Sequence, residues 1–348
     1  MNNQTTTKLP IHFNSDKVGK IWRVPYQQRA AEAELWAEQH SIKPASVDEM
    51  RICLLLIDVQ NTFCIPEFEL FVGGQSETGA VDDNRRLCEF IYKNLGVITK
   101  IIPTLDTHTA MQIFHPIFWV NKAGEHPTPA ATSITPADIE DGIWQVNPDI
   151  ANSINSNYEL LTKHAYHYVK QLSQDGKYPL TVWPYHSMLG GIGHALVSAV
   201  EEAIFFHCIA RRSQTQFEIK GDNPLTENYS VLRPEVLQSF DQIPLANKNT
   251  RLMQQLLKFD AVIIGGQAKS HCVAWTIDDL LTEIQQIDHT LSQKIYLLED
   301  CTSPVVVPGI VDYTEQADAA FARFAAAGMN IVKSTESICN WLKNCRLG

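Results

Sequence analysis

What the chain lacks narrows the field first. No apolar run approaches the roughly 18 residues needed to cross a bilayer. The opening stretch, MNNQTTTKLPIHFNSDK, is polar and carries no apolar signal segment. Basic residues are scarce: 28 Lys and Arg stand against 39 Asp and Glu, a formal charge of -11. That deficit argues against a surface built to hold nucleic-acid phosphates. Neither a CxxC zinc spacing nor an internal repeat occurs. The eight cysteines show no paired pattern, and Cys53, Cys88 and Cys208 sit among apolar neighbours, as reduced core thiols do. These absences give the expectation of a cytoplasmic protein in a reducing setting, without a nucleic-acid or membrane partner.

What is present is a large core and a regular rhythm. The chain has 348 residues, 45% of them hydrophobic, enough for one large domain with an insertion. Short β-branched runs alternate with helical patterns. RICLLLID (51–58), GVITKIIPTLD (96–106), QFEIK (216–220), DAVIIGG (260–266), KIYLLED (294–300) and MNIV (329–332) read as strands. Between them, 81–95, 249–259, 271–284 and 312–328 have helical periodicity. Such alternation predicts a parallel sheet covered on both faces. Two regions fall outside it. Residues 1–50 hold a polar arm and a short helix, ahead of a main domain over 51–348. About 119–180 is a long polar stretch read as an insertion with some helix of its own.

In open parallel sheets, ligands bind beyond the carboxyl ends of the strands, where strand order reverses. The residues predicted at those ends are Asp58, Asp106, Lys220 and the turn GGQAKSHC. A thiol at Cys272, in the first turn of a helix, would feel the helix dipole and a nearby Lys220 ammonium. Both lower a thiol pKa. Asp58 could take the thiol proton and deliver it to a leaving group. For the other seven cysteines the plain reading, a small buried hydrophobe, is kept. Asp106, His108 and His115 follow one strand, and His186 precedes a helix read as starting at the glycines after it, with His194 and His207 inside. One carboxylate with two or three imidazoles suits Zn²⁺, Fe²⁺ or Mn²⁺.

These pieces resemble the isochorismatase-like cysteine hydrolases, and among them most resemble the nicotinamidases. The resemblance rests on LLLIDVQNTFC, LDTHTAMQIFHP, WPYH, IKGDNPLTENYSVL and GGQAKSHCVAWT, in the family's order, across about residues 51–335. It implies a three-layer α/β/α fold with a six-stranded, mainly parallel sheet. The catalytic triad it implies is Asp58, Lys220 and Cys272. A cis peptide at Gln267–Ala268 would help the amides of Ala268 and Cys272 form an oxyanion hole. Asp106, His108 and His186 would hold a divalent metal, zinc first, with His115 a fourth ligand or near neighbour. Phe63, Trp183 and Tyr229 would line the substrate pocket. The implied reaction is hydrolysis of a small carboxamide, nicotinamide to nicotinate and ammonia, through a thioester, in a homo-oligomer. A different amide, a ureido compound or a vinyl ether as substrate is the alternative, and a non-catalytic binding protein is a third reading. The chain departs from the family in its length, in WPYHSMLGGIGHALV after the histidine motif, and in Lys269 where an acidic residue is frequent.

Overall fold

A computed structural model describes residues 9–154, 156–174 and 178–342. Six strands form one sheet: β1 (Ile52–Ile57), β2 (Lys100–Asp106), β3 (Glu218–Lys220), β4 (Ala261–Gly266), β5 (Ile295–Leu298) and β6 (Asn330–Val332). Their order is β6-β5-β4-β1-β2-β3, and every neighbouring pair is parallel. The longer helices are α1 (Tyr26–Gln39), α2 (Gly79–Lys93), α3 (Tyr158–Gln174), α4 (Ser198–Arg211), α5 (Thr250–Leu256), α6 (Ala274–Ile287) and α7 (Thr314–Ala326).

Strand β1 shows why the sheet is covered on both sides. All six residues of ICLLLI are buried, and side chains alternate across a strand. Ile52, Leu54 and Leu56 pack on one side with residues of α2 and α4. Cys53, Leu55 and Ile57 pack on the other with residues of α5, α6 and α7. Each buried leucine or isoleucine contributes roughly 1.5–3 kcal/mol, so both helical layers are needed to stabilise one strand. The result is the expected three-layer α/β/α fold.

Strand order reverses between β4 and β1, the position at which such sheets form a crevice. Two registers align the functional ends. Asp106 pairs with Lys220 across β2 and β3, and Ile57 pairs with Gly266 across β1 and β4. Gly266 has φ +120°, and a Cβ there would lie 2.1 Å from the Ile57 carbonyl oxygen. That oxygen accepts the N–H of Gln267 at 2.8 Å. Only glycine lets the two backbones approach this closely. The next peptide, Gln267–Ala268, is cis.

Several elements begin later than their sequence pattern suggests. Strand β2 starts at Lys100, because the amides of Val97 and Ile98 still turn back to the Asn94 carbonyl at the end of α2. Helix α4 starts at Ser198, not at the glycines after His186. The intervening carbonyls are engaged elsewhere. Those of Gly193 and Ala195 accept the amides of Thr62 and Asn61, and those of Ile192 and His194 accept the side-chain amides of Asn61 and Gln60. His194 is therefore a loop residue, hydrogen-bonded to Thr107 Oγ1 at 2.8 Å. His207 lies inside α4, buried, against the Ile98 carbonyl.

The segment between β2 and β3 has its own apolar cluster. Phe114, Trp119, Leu161 and Tyr168 belong to it, and α3 supplies one side. The arm before β1 packs α1 on α4, and Arg211 of α4 anchors it by forking onto both carboxylate oxygens of Asp48. Among the described residues, Cys53, Cys64, Cys88, Cys208, Cys272 and Cys301 are free thiols.

Gly266→Ala places a methyl group through the β1–β4 contact. It is expected to cost more than about 3 kcal/mol in urea unfolding, and wild-type stability in the variant would contradict this reading of the strand crossing.

Candidate active site

Lys220 stands at the centre of the strand-end cluster. Its Nζ lies 3.0 Å from Asp58 Oδ2, 2.8 Å from Asp106 Oδ1, 2.7 Å from the Asn228 carbonyl and 3.6 Å from Cys272 Sγ. Lys220, Asp58, Asp106 and Cys272 are all buried, and the first three come from the ends of β3, β1 and β2. Cys272 comes from the turn after β4, where a wide π-type turn (Lys269–Val273) leads into α6. Asp58 has φ +46° and is fastened by Thr104, whose hydroxyl receives the Asp58 N–H at 3.0 Å and donates to Oδ1 at 2.5 Å. Thr104 sits in mid-strand and carries no motif that singles it out in sequence.

The electrostatics follow from burial and from the shared ammonium. Burial opposes the charge on Lys220, but Asp106, Asp58 and Cys272 outweigh it and hold the amine well above its ordinary range. Burial also pushes Asp58 up, against the pull of Lys220. Asp106 is pushed the same way, but His108 and Lys220 prevail and keep it well below the usual carboxylate range. For Cys272 burial wins outright and raises the thiol well above its ordinary value, with Lys220 opposing. This reverses the expectation of a lowered thiol pKa. The upward shift favours the thiol over the thiolate, so a proton must move as the sulfur attacks.

Beside the ammonium lies a candidate metal centre. Asp106, His108 and His186 present ligand atoms that all lie within 4.8 Å of one another. Asp106 Oδ2 is 2.7 Å from His108 Nε2 and 3.5 Å from His186 Nε2. Each imidazole uses its other nitrogen on a backbone carbonyl: His108 Nδ1 on Gly221 at 3.0 Å, and His186 Nδ1 on Pro184 at 2.7 Å. A carbonyl only accepts, so each Nδ1 donates its proton there and each Nε2 is the nitrogen turned toward Asp106. Two such nitrogens and a carboxylate oxygen share one buried space, a donor set that suits a divalent cation. Gly221 keeps that space open: a Cβ there would meet His108 Cε1 at 2.8 Å and Asp106 Oδ1 at 2.9 Å.

His115 is adjacent to this group and not part of its tight cluster. Its ring centroid is 5.9 Å from those of His108 and His186. Its Nδ1 bonds the Ala110 carbonyl, and its buried Nε2 has no hydrogen-bond partner. Burial lowers its pKa to about 3, so it is neutral.

A small cavity of about 30 Å³ opens over the thiol. Phe63, Trp183, Tyr229 and Ala268 line it with Lys220 and Cys272. The Trp183 indole N–H donates to the Tyr229 hydroxyl at 2.8 Å, fixing two aromatic walls together. The structure brings Asp58, Asp106, Lys220, Cys272, His108 and His186 together at the strand ends and puts Phe63, Trp183, Tyr229 and Ala268 in the cavity wall, with His115 one step removed.

Besides Thr104, four contributors carry no signal of their own in the sequence. Gln60 fixes Asp106 through both backbone groups, donating to its carbonyl at 2.9 Å and accepting its N–H at 2.8 Å. Asn228 supplies the carbonyl on Lys220. Glu227 lines the cavity, and burial raises its carboxyl to about 8. His271 lines it too, neutral because burial lowers it to about 3. Their only sequence signal is adjacency to a motif residue.

No family model matches the chain, and no curated protein matches it. Solved structures do. The nicotinamidase of Acinetobacter baumanii is 17% identical, with a TM-score of 0.47, over 83% of this chain and 98% of its own. The yeast nicotinamidase is 18% identical, with a TM-score of 0.49, over 81% and 99%. An isochorismatase-like hydrolase from Alkaliphilus metalliredigens is 10% identical, with a TM-score of 0.41, over 84% and 99%. The fold and chemistry of this chain are read from its own strands and side chains.

Metal analysis of purified protein is expected to find about one divalent ion per chain. His186→Ala and Gly221→Ala should each weaken binding at least about tenfold in a chelator competition. Unchanged affinity in both variants would remove the metal centre from this position.

Proposed function

We propose that the chain is a metal-containing cysteine amidohydrolase of the isochorismatase-like, nicotinamidase type, with nicotinamide as the first substrate to test. The observation that supports this most directly is the meeting of Cys272, Lys220 and Asp58 beneath an aromatic cavity, with Sγ 3.6 Å from Nζ and Nζ 3.0 Å from Oδ2.

The chemistry follows from those contacts. As Cys272 Sγ attacks the carboxamide carbon, its proton passes to Asp58, which burial makes a stronger base than an exposed carboxylate. Lys220 compensates the charge moving between thiol and carboxyl. The amides of Ala268 and Cys272, both at the cavity wall, stabilise the oxyanion. Asp58 then gives its proton to the departing nitrogen. The C–N bond breaks, ammonia leaves, and a C–S thioester remains. Water adds to the thioester, losing a proton to Asp58; the C–S bond breaks, and the acid and free thiol are restored.

Asp106, His108 and His186 are the residues that would hold the ion, with zinc the first candidate and iron or manganese accepted by the same ligands. When bound, the ion supplies an electron-pair acceptor beside the cavity, suited to a lone pair of the substrate ring or of water. Phe63, Trp183 and Tyr229 favour a flat, small substrate.

Charge favours the amide reading over the vinyl-ether alternative. The cavity lining includes one ammonium, Lys220, and Asp58 and Asp106 already share it. A substrate with two carboxylates would find no further Lys or Arg in the lining, whereas a neutral amide needs none.

Purified protein should release ammonia from nicotinamide in a coupled assay, with pyrazinamide and benzamide as comparisons. Cys272→Ala should lower kcat at least about a thousandfold while keeping its metal content. Retained turnover in that variant would overturn the thioester mechanism, and an isochorismate-type substrate turned over without ammonia would overturn the amidase reading.

A further inference from the structure

A second cavity lies under the N-terminal arm and has no part in the chemistry above. At about 440 Å³ it is far larger than the space over Cys272. The arm supplies most of its wall between His12 and Pro25, and Arg29 of α1 with Ala199 and Glu202 of α4 complete it.

The wall is fixed in place by hydrogen bonds. The Trp22 N–H donates to Ser198 Oγ at 2.9 Å, and Ser198 Oγ donates back to the Trp22 carbonyl at 2.9 Å. His12 Nε2 meets the Tyr92 hydroxyl at 3.1 Å, and Phe13 packs on the Tyr92 ring at 5.4 Å. Arg29 is neutralised where it stands, 2.6 Å from Glu202 and 2.7 Å from Glu32. The crevice is therefore shaped by bonds between arm and body.

Its charge runs against that of the whole. The chain carries a formal -11, yet Lys17, Lys20 and Arg23 all face this cavity. Among the described residues none of the three is ion-paired. Of the lining residues, Arg29 and Glu202 cancel and Lys17, Lys20 and Arg23 remain, against one further carboxylate, Glu32, held on Arg29 and His12 behind the wall, beside the apolar surfaces of Phe13 and Trp22. Exposed cations gathered on a fixed, partly aromatic crevice match a ligand that is anionic at one end and flat and apolar at the other.

We propose that this crevice binds a small organic anion, its phosphate or carboxylate at Lys17, Lys20 and Arg23 and its flat body against Phe13 and Trp22. Ligands of nucleoside-monophosphate size fit the volume. The site is independent of the proposed amidase activity, since it shares no residue with the strand-end cluster.

Isothermal titration calorimetry on the full chain tests this with AMP, adenosine, inorganic phosphate and benzoate as probes. AMP or benzoate should bind saturably and more weakly as salt rises, with adenosine and phosphate each weaker than AMP. AMP tighter than benzoate marks a phosphate site, and the reverse order marks a carboxylate site. The triple variant K17E/K20E/R23E should weaken the tighter probe at least about tenfold with an unchanged melting temperature. If that variant unfolds, the neutral K20Q/R23Q replaces it, with a loss of about threefold expected. No saturable binding of AMP or benzoate at millimolar concentration would overturn the proposal. So would equal affinity in the folded variant, which would put the bound anion elsewhere.

Discussion

One buried ammonium carries the architecture of the site. Lys220 reaches two carboxylates, a carbonyl and a thiol from the end of a three-residue edge strand. At an effective dielectric near 20, an ion pair at about 3 Å gains roughly 5 kcal/mol of Coulomb energy before desolvation is subtracted. Removing such a partner from buried carboxylates typically costs about 3–5 kcal/mol. The same group joins two pieces of chemistry that could have been separate. Through Asp106 it borders the histidine cluster, and through Asp58 it borders the Cys272 thiol. It also divides the labour between the carboxylates. Asp106 stays ionised between His108 and Lys220, whereas burial disposes Asp58 to take up a proton.

The sheet makes this convergence possible at little cost. Strands β1, β2 and β3 end level with one another, so consecutive strand ends deliver Asp58, Asp106 and Lys220 to one rim. Reversal of strand order places the β4 turn beside β1, and Gly266 lets the two backbones touch there. Glycine serves again at Gly221, one residue beyond Lys220, where a side chain would fill the space between His108 and Asp106. The site depends on these two missing methyl groups as much as on its reactive ones.

Much of this was legible in the sequence because the signals are local. Continuous apolar runs marked strands buried on both faces, and a polar residue closing each run marked the rim. What was not legible depends on partners distant in the chain. Helix α4 could not be placed from its own pattern, because the preceding loop is kept non-helical by Gln60, Asn61 and Thr62. The state of the Cys272 thiol is hidden from the sequence for the same reason. Its proximity to Lys220 could be anticipated, but the depth of burial that outweighs that ammonium could not. Glu227 looks like an ordinary loop residue, and His271 like the opening residue of a helix, until the fold encloses them beside the thiol.

The central claim is that Cys272, turned toward Lys220 and Asp58, forms the bond to the substrate. Acid quenching during turnover of a carboxamide, followed by peptide mass spectrometry, tests it most directly, since a thioester survives acid. The account predicts an acyl group on the peptide bearing Cys272 and on no other cysteine. Steady turnover with Cys272 unmodified, or an acyl group carried elsewhere, would contradict it.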